Sequence, residues 1–267
     1  MTESKFTDFV GIVKRLRKEC PWDREQTNDS IKANTIEEAY EVVEAIDNKN
    51  YEELKKELGD LLLHVVFHTQ IAEEGNYFKI DDVIDSIKEK LIRRHPHVFG
   101  EVKVADSNEV KKNWEEIKLG EGRESVLEGV PFNLPALQRA HRLQEKAAKV
   151  GFDWEKKEDV WKKVIEEIEE MHEIENLKSQ NLNKEKVEEL QAKLEKEVGD
   201  VFFAMVNYAR FLGINPEDAL RRTNDKFIKR FDYVQKKVKE TGKAINESNL
   251  EEMDKYWNES KKISGLS

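Results

Sequence analysis

One acidic pattern occurs twice in this chain, and each copy is written at helical spacing. Glu37, Glu38 and Glu41 form an E-E-x-x-E run, and Glu57 and Asp60 follow as E-x-x-D. Glu166, Glu167 and Glu170, then Glu197 and Asp200, repeat that order, with Gly59 and Gly199 in the same slot of an E-(L/V)-G-D motif. Residues three and four apart share one face of a helix, so two facing helices carrying these runs aim carboxylates at one point. Such a set of oxygen donors suits a hard divalent cation, and Mg²⁺ held this way usually serves phosphate chemistry.

Helical periodicity dominates the rest of the sequence, with no convincing alternation of the kind a strand shows. An N-terminal helix is expected around Phe6–Leu16. Ile36, Tyr40, Val43 and Ile46 mark the apolar face of the next helix; Leu54, Leu58, Leu61, Leu62, Val65, Val66 and Ala72 mark the one after. Asp81 and Asp82 fit a cap and first turn for a third helix through Val83, Ile87 and Leu91, which ends before Pro96. In the second half, Val160, Val164, Ile165 and Ile168 open one helix and Leu190 to Met205 form another. Asn215-Pro216-Glu217 reads as a cap, a first helical residue and an acidic first turn. The polar run Ser179–Lys186 makes the second hairpin longer and is expected to be a loop. Glycine and proline cluster between Gly120 and Pro135, so the expected organisation is an all-α fold of two tandem helical-bundle domains, 1–118 and 136–267, joined by a linker over 119–135.

The chain has 267 residues, 38% of them charged, and a net charge of −10, which disfavours a nucleic-acid polymer as partner because its phosphates would be repelled. A single cysteine, Cys20, permits no internal disulfide and fits a reducing compartment. The N-terminal residues lack the apolar core of a signal peptide, and no apolar run is long enough to span a bilayer. A cytoplasmic protein without a membrane partner is expected.

Each acidic run follows the same course into a basic helix. Lys90-Leu91-Ile92-Arg93-Arg94 answers Lys226-Phe227-Ile228-Lys229-Arg230. Cations facing a metal cage make a cradle for a polyphosphate. Against this stands the plain reading of Glu-rich surface helices, a non-catalytic scaffold whose acids are simply solvated. What favours chemistry is the conjunction, twice, of acids, a glycine inside an apolar helix, and a basic helix. That glycine gives up roughly 1 kcal/mol of helix propensity, and either close helix packing or room for a ligand explains it. His64 and His68, at i and i+4, read more simply as packing histidines than as a metal pair, since Ala204 stands at the His64 position of the second repeat. Glu169-x-x-His172 resembles half of a di-iron carboxylate motif, but such a di-metal protein needs two copies and the first half has none. Trp154 reads as core; Trp257, in a polar C-terminal stretch, fits stacking on a base.

Several further segments match one family in order: Cys20-Pro21-Trp22-Asp23, Arg93-Arg94-His95-Pro96-His97-Val98-Phe99, Gly129-Val130-Pro131, Leu134-Pro135-Ala136-Leu137 and Val150-Gly151-Phe152-Asp153-Trp154, together with both acidic repeats. Over nearly its whole length the chain resembles MazG, a family of two-domain bacterial nucleoside triphosphate pyrophosphohydrolases. The resemblance settles the register of the second acidic run, because the family places Lys-Val shortly before it, as Lys163-Val164 stand here. It implies helical-bundle domains assembled as a homodimer, and cleavage of nucleoside triphosphates to monophosphate and pyrophosphate with Mg²⁺, for which Mn²⁺ can substitute. It implies Glu167, Glu170, Glu197 and Asp200 as metal ligands, with Glu38, Glu41, Glu57 and Asp60 as the first-half equivalents. Nucleotide contacts carry over to Lys163, Glu166, Lys193, Lys226, Arg230 and Trp257, with Asn224 and Lys118 as further candidates. The first half departs from this set. Asn34 replaces Lys163 and Lys88 stands near the Asn224 position, whereas Lys90, Arg93 and Arg94 put more charge on its third helix. Glu166 and Glu37, first in each run, are candidates to orient the attacking water.

Overall fold

Thr27 and Asn50 start the two long helices of the first half, each by the same device. The Thr27 hydroxyl accepts from the Ser30 N–H at 3.1 Å, and the Asn50 side-chain oxygen accepts from the Glu53 N–H at 3.2 Å. In the computed structural model, which describes all residues except 1, 107, 108, 111, 112, 115, 116, 118, 119, 122–124, 179–182, 264, 266 and 267, the chain forms two compact units, Met1–Trp114 and Glu115–Ser267. Helices account for the regular structure among the described residues, and no strand occurs there.

The first unit contains α1 (Thr2–Glu19), α2 (Pro21–Glu25), α3 (Asn28–Asp47), α4 (Tyr51–Glu74), α5 (Ile80–Arg94) and α6 (Pro96–Phe99). α3 and α4 form a tight hairpin, turned at Lys49 with φ of 53°. α1 lies against α4, and Val13, Ile31, Val66 and Phe67 make the core, flanked by Phe6, Phe9, Leu63 and Ile71. Ile36 and Tyr40, expected to face inward, are instead exposed. The inward stripe of α3 runs Ile31, Thr35, Glu38, Val42 and Ala45, a heptad-like spacing whose middle positions are polar. At the start of α5 the cap is Lys79 rather than an aspartate; Asp82 accepts from its N–H at 2.9 Å.

The short α2 is held by a buried arginine. Arg17 forks onto Glu74 (3.0 Å from Nε) and also donates to the backbone carbonyls of Asp23 and Gln26, the latter at 2.9 Å. Its guanidinium lies 5.5 Å from the centre of the Phe67 ring. Pairing with Arg17 holds the Glu74 carboxyl below its usual range despite partial burial.

The second unit contains α7 (Ala136–Lys149), α8 (Lys157–Lys178), α9 (Lys184–Phe211), α10 (Pro216–Glu240), a 3₁₀ turn (Ile245–Glu247) and α11 (Leu250–Ser260). α8 and α9 pair along their lengths, α7 packs on α9, and α11 packs on α10. Val160, Val164, Leu190, Ala204, Val206, Val234 and Val238 are buried. Part of the expected 179–186 loop lies outside the described residues; beyond it Asn183 caps α9 and residues 184–186 are already helical. Asn215 caps α10 as its sequence predicts, accepting from Glu217 and Asp218 N–H groups at 3.0 and 3.2 Å. Ahead of that cap, Gly213 takes the left-handed φ of 69° that ends α9. Lys146, buried, donates to the carbonyls of Val126 and Glu128 at 3.1 and 2.9 Å, fastening part of the 119–135 stretch to this unit. Trp154, expected in the core, is 47% exposed.

Candidate functional site

In each hairpin the carboxylates occupy core positions. On α8 the inward stripe is Val160, Val164, Glu167, Met171 and Ile174; on α9 it is Leu190, Leu194, Glu197, Val201 and Ala204. Helix pairing therefore brings Glu167 and Glu197 together as it would two leucines. Glu57 and Glu167 are each only 8% exposed. Two sets of oxygen atoms result, each within 4.8 Å of one another: Glu38, Glu41 and Glu57 in the first unit, and Glu167, Glu197 and Asp200 in the second. The fourth acid differs between them. Asp60 stays outside the first set and Glu170 outside the second, although their charges reach Glu38 and Glu197 respectively. Close carboxylates of this kind fit a hard divalent cation, which removes the repulsion among them.

The electrostatics of the two sets differ. Burial, then proton sharing with Glu53 and Glu41, pushes the Glu57 carboxyl up to about 7. Burial and the charges of Glu41, Asp60 and Glu37 raise Glu38 as well. The second set contains its own counterion. Lys163 contacts both Glu166 and Glu167 at 2.8 Å, which stabilises its ammonium form. In the first unit Asn34 stands in its place. Desolvation raises Glu170, helped by Glu167 and opposed by Lys163.

The shift at Glu57 has a definite sign. An ordinary glutamate loses its proton near 4.5, and Glu57 in the folded unit keeps it to about 7. Across that window the folded state holds the extra proton, so the contribution of Glu57 to stability falls as pH rises. A divalent cation has to displace that proton. Affinity for Mg²⁺ at the first set is therefore expected to rise as pH increases through about 7, as calorimetric titration on either side of that value will read. A pH-independent affinity would remove Glu57 as a ligand.

The remaining expected residues are placed as follows. Glu37 and Glu166 are exposed at the edges of their sets. Lys193 is on α9 and pairs with Glu189 at 2.8 Å; Lys186 and Lys193 together hold that carboxyl at about 2. Asn224, Lys226 and Arg230 lie along α10, with Arg230 5.9 Å from the Trp257 ring centre. Trp257 belongs to α11, not to an irregular tail, and its ring sits 5.2 Å from Phe227. Lys90, Arg93 and Arg94 occupy the last turns of α5. Lys118 lies outside the described residues. Glu169 and His172 point away from the second set: both are exposed and His172 pairs with Glu175 at 2.7 Å, so a Glu-His di-metal site is not assembled among the described residues. At Gly59 and Gly199 an added Cβ would meet nothing within 4 Å, so close packing within the unit does not account for either glycine.

A histidine chain beside the first set was not legible from spacing. His68 Nδ1 lies 2.7 Å from Asn28 Oδ1, Thr35 Oγ1 lies 2.9 Å from His68 Nε2 and 3.1 Å from His64 Nδ1, and His64 Nε2 faces Glu38 at 3.9 Å. Asn28 Oδ1 accepts from His68 Nδ1, and the single hydroxyl proton of Thr35 is shared between His68 Nε2 and the Ile31 carbonyl, 3.3 Å away. Burial lowers the pKa of both rings, which favours neutral imidazoles.

Paired helices that focus carboxylates in a duplicated bundle define an all-α protein with a cluster of close carboxylates in each half. The MazG nucleotide pyrophosphohydrolase domain matches residues 26–99 and 155–235, the two stretches that contain these clusters. The chain is 42% identical over 261 residues to the nucleoside triphosphate pyrophosphohydrolase/pyrophosphatase MazG of Thermotoga maritima, covering 96% of this chain and 95% of that protein. It is 43% identical over 262 residues to the nucleoside triphosphate pyrophosphohydrolase of Escherichia coli, covering 95% and 96%. A Bacillus subtilis protein, YabN, is 49% identical over 262 residues, which are 96% of this chain and 52% of YabN. The chain belongs to the MazG nucleotide pyrophosphohydrolase family.

Proposed function

We propose that the protein cleaves nucleoside triphosphates, ribo- and deoxyribo- alike, to the monophosphate and pyrophosphate, with Mg²⁺ or Mn²⁺ held by the acidic sets. The observation that carries this reading is the convergence of Glu167, Glu197 and Asp200 beside Lys163. A divalent ion there supplies charge neutralisation for the phosphates and the transition state. Glu170, exposed and outside the focused set, would be its more weakly held fourth ligand. Glu166, freed from Lys163, orients water toward the α-phosphorus, and Glu37 does so in the first half. Lys193, Lys226 and Arg230 hold the β- and γ-phosphates, with Asn224 as a further contact and Trp257 against the base; Lys118 remains a candidate from the family resemblance alone. Lys90, Arg93 and Arg94 take the phosphate-binding part in the first half.

Exposed apolar residues along α5 and α10, among them Ile84, Ile87, Leu91, Phe227 and Ile228, support assembly as a homodimer. No helix among the described residues is long and apolar enough to cross a membrane, in keeping with the cytoplasmic location we infer.

A panel of the common nucleoside triphosphates, with products resolved by chromatography, tests the reading. Monophosphate and pyrophosphate are expected, with the reaction abolished by excess chelator. Diphosphate and orthophosphate as products would mean that a different bond is broken, and full turnover in chelator would remove the metal.

A further inference from the structure

A carboxylate as buried as Glu167 needs a cation close by. It sits at a core position of α8, 8% exposed, where an unpaired charge is costly. Its partner is Lys163, one turn earlier on the same helix, whose Nζ lies 2.8 Å from Glu167 and 2.8 Å from Glu166. Helix stabilisation is a weak reason for this pair, because lysine N-terminal to glutamate at i and i+4 is the less favourable order. What the pair achieves is a positive charge against the acidic set that Glu197 and Asp200 complete. Three other lysines of the hairpin are engaged elsewhere: Lys186 and Lys193 pair with Glu189 at 2.7 and 2.8 Å, and Lys162 with Asp159 at 2.8 Å.

The first unit has the same spacing without the cation. Asn34 stands four residues before Glu38, as Lys163 stands before Glu167, and it is neutral and exposed. Lys56, next in sequence to Glu57, is paired with Glu53 at 2.9 Å.

A dication on Glu167 and an ammonium in contact with the same carboxylate repel each other at short range, and partial burial strengthens that repulsion. The Lys163 side chain is 37% exposed, on a flexible stem, so the ammonium has an open way out of the set. We propose that Lys163 is a built-in competitor for the divalent cation of the second set, which the metal displaces and the phosphates of the substrate then engage. The metal thereby opens the second half to polyphosphate, and Asn34 leaves the first half without that step. The phosphate part rests on the hydrolase reading above; the competition rests on the ion pairs alone.

The test uses the full chain carrying Glu38→Gln, which silences the first set. Calorimetry at about pH 8.5, where protons compete little with the cation, measures Mg²⁺ alone and then inorganic tripolyphosphate at saturating Mg²⁺. Lys163→Met, which keeps the apolar stem, is expected to tighten Mg²⁺ about 10-fold and to weaken tripolyphosphate about 10-fold. The two shifts have opposite signs, which a merely structural lysine does not produce. The converse variant is Asn34→Lys in a chain whose second set is silenced by Glu167→Gln. It should weaken Mg²⁺ at the first set and tighten tripolyphosphate there. Lys162→Met removes a neighbouring charge that is paired with Asp159 and should change neither affinity. The competitor is overturned if Lys163→Met leaves Mg²⁺ affinity unchanged or lowers it, or if Lys162→Met tightens Mg²⁺ as much. Tighter Mg²⁺ with unchanged tripolyphosphate affinity overturns the turn toward phosphate. Pyrophosphate release from nucleoside triphosphates is followed on the chain with Lys163 intact. Opposite shifts without release keep the competitor and remove the hydrolase reading; release with neither shift does the reverse.

Discussion

Glu167→Gln is expected to cut turnover by the second half about 100-fold, the scale of losing one preorganised charged group at a reaction centre. Glu167 is the buried member of its set, held at a core position of α8 and facing Glu197 and Asp200. Glutamine keeps the shape and the helix propensity but supplies a neutral oxygen where a hard cation requires charge. Glu170→Gln is expected to cost less, about 10-fold, because Glu170 is exposed and outside the focused set. Both are to be measured as pyrophosphate release in a chain whose first set is disabled by Glu38→Gln. Unchanged turnover in Glu167→Gln, or an equal loss in Glu170→Gln, would contradict the ranking.

Arg17→Ala is expected to destabilise the first unit by about 3 kcal/mol, at the low end for breaking a buried ion pair. The arginine side chain is 6% exposed, whereas Glu74 is 41% exposed and regains water when its partner leaves. The larger part of the loss comes from the Gln26 carbonyl, which loses its donor, and from the Asp23 carbonyl, which is left with the Gln26 N–H alone. Arg17→Lys keeps the charge but not the fork and is expected to recover less than half. The effect has a pH signature. The lowered Glu74 carboxyl contributes stability above its unfolded pKa and loses it as pH falls through the folded value, so the gap between wild type and Arg17→Ala should narrow in acid. Urea midpoints of the first unit will read both; a loss under ~1 kcal/mol, ordinary for a surface pair, would show the arginine to be peripheral.

The sequence made the helical hairpins and their acids legible, because periodicity and capping act locally. Asn215-Pro216-Glu217 behaves as its chemistry dictates. What misled was the stripe of α3. Its inward positions hold Thr35 and Glu38 between Ile31 and Ala45, so the apolar pattern is interrupted where the site lies, and Ile36 and Tyr40 look like the better face. The helices that escaped notice owe their place to distant partners. α2 depends on Arg17, α11 places Trp257 against Phe227, and α7 carries an amphipathic pattern in Leu137, Ala140 and Leu143 that the surrounding glycines and prolines obscured. The histidine chain joins α3 to α4 through Thr35, a contact that no spacing rule announces.

The two acidic sets keep their resting charge in check by different means, a retained proton on Glu57 and a tethered ammonium on Lys163. On the metal binding proposed above, the first half would discharge a proton to the buffer, whereas the second would set loose a side chain that stays on the protein. Heat measured for the first half will therefore track the ionisation enthalpy of the buffer, and heat measured for the second will not. Duplication has left one acidic set coupled to the acidity of its surroundings and the other paired with an ammonium of its own.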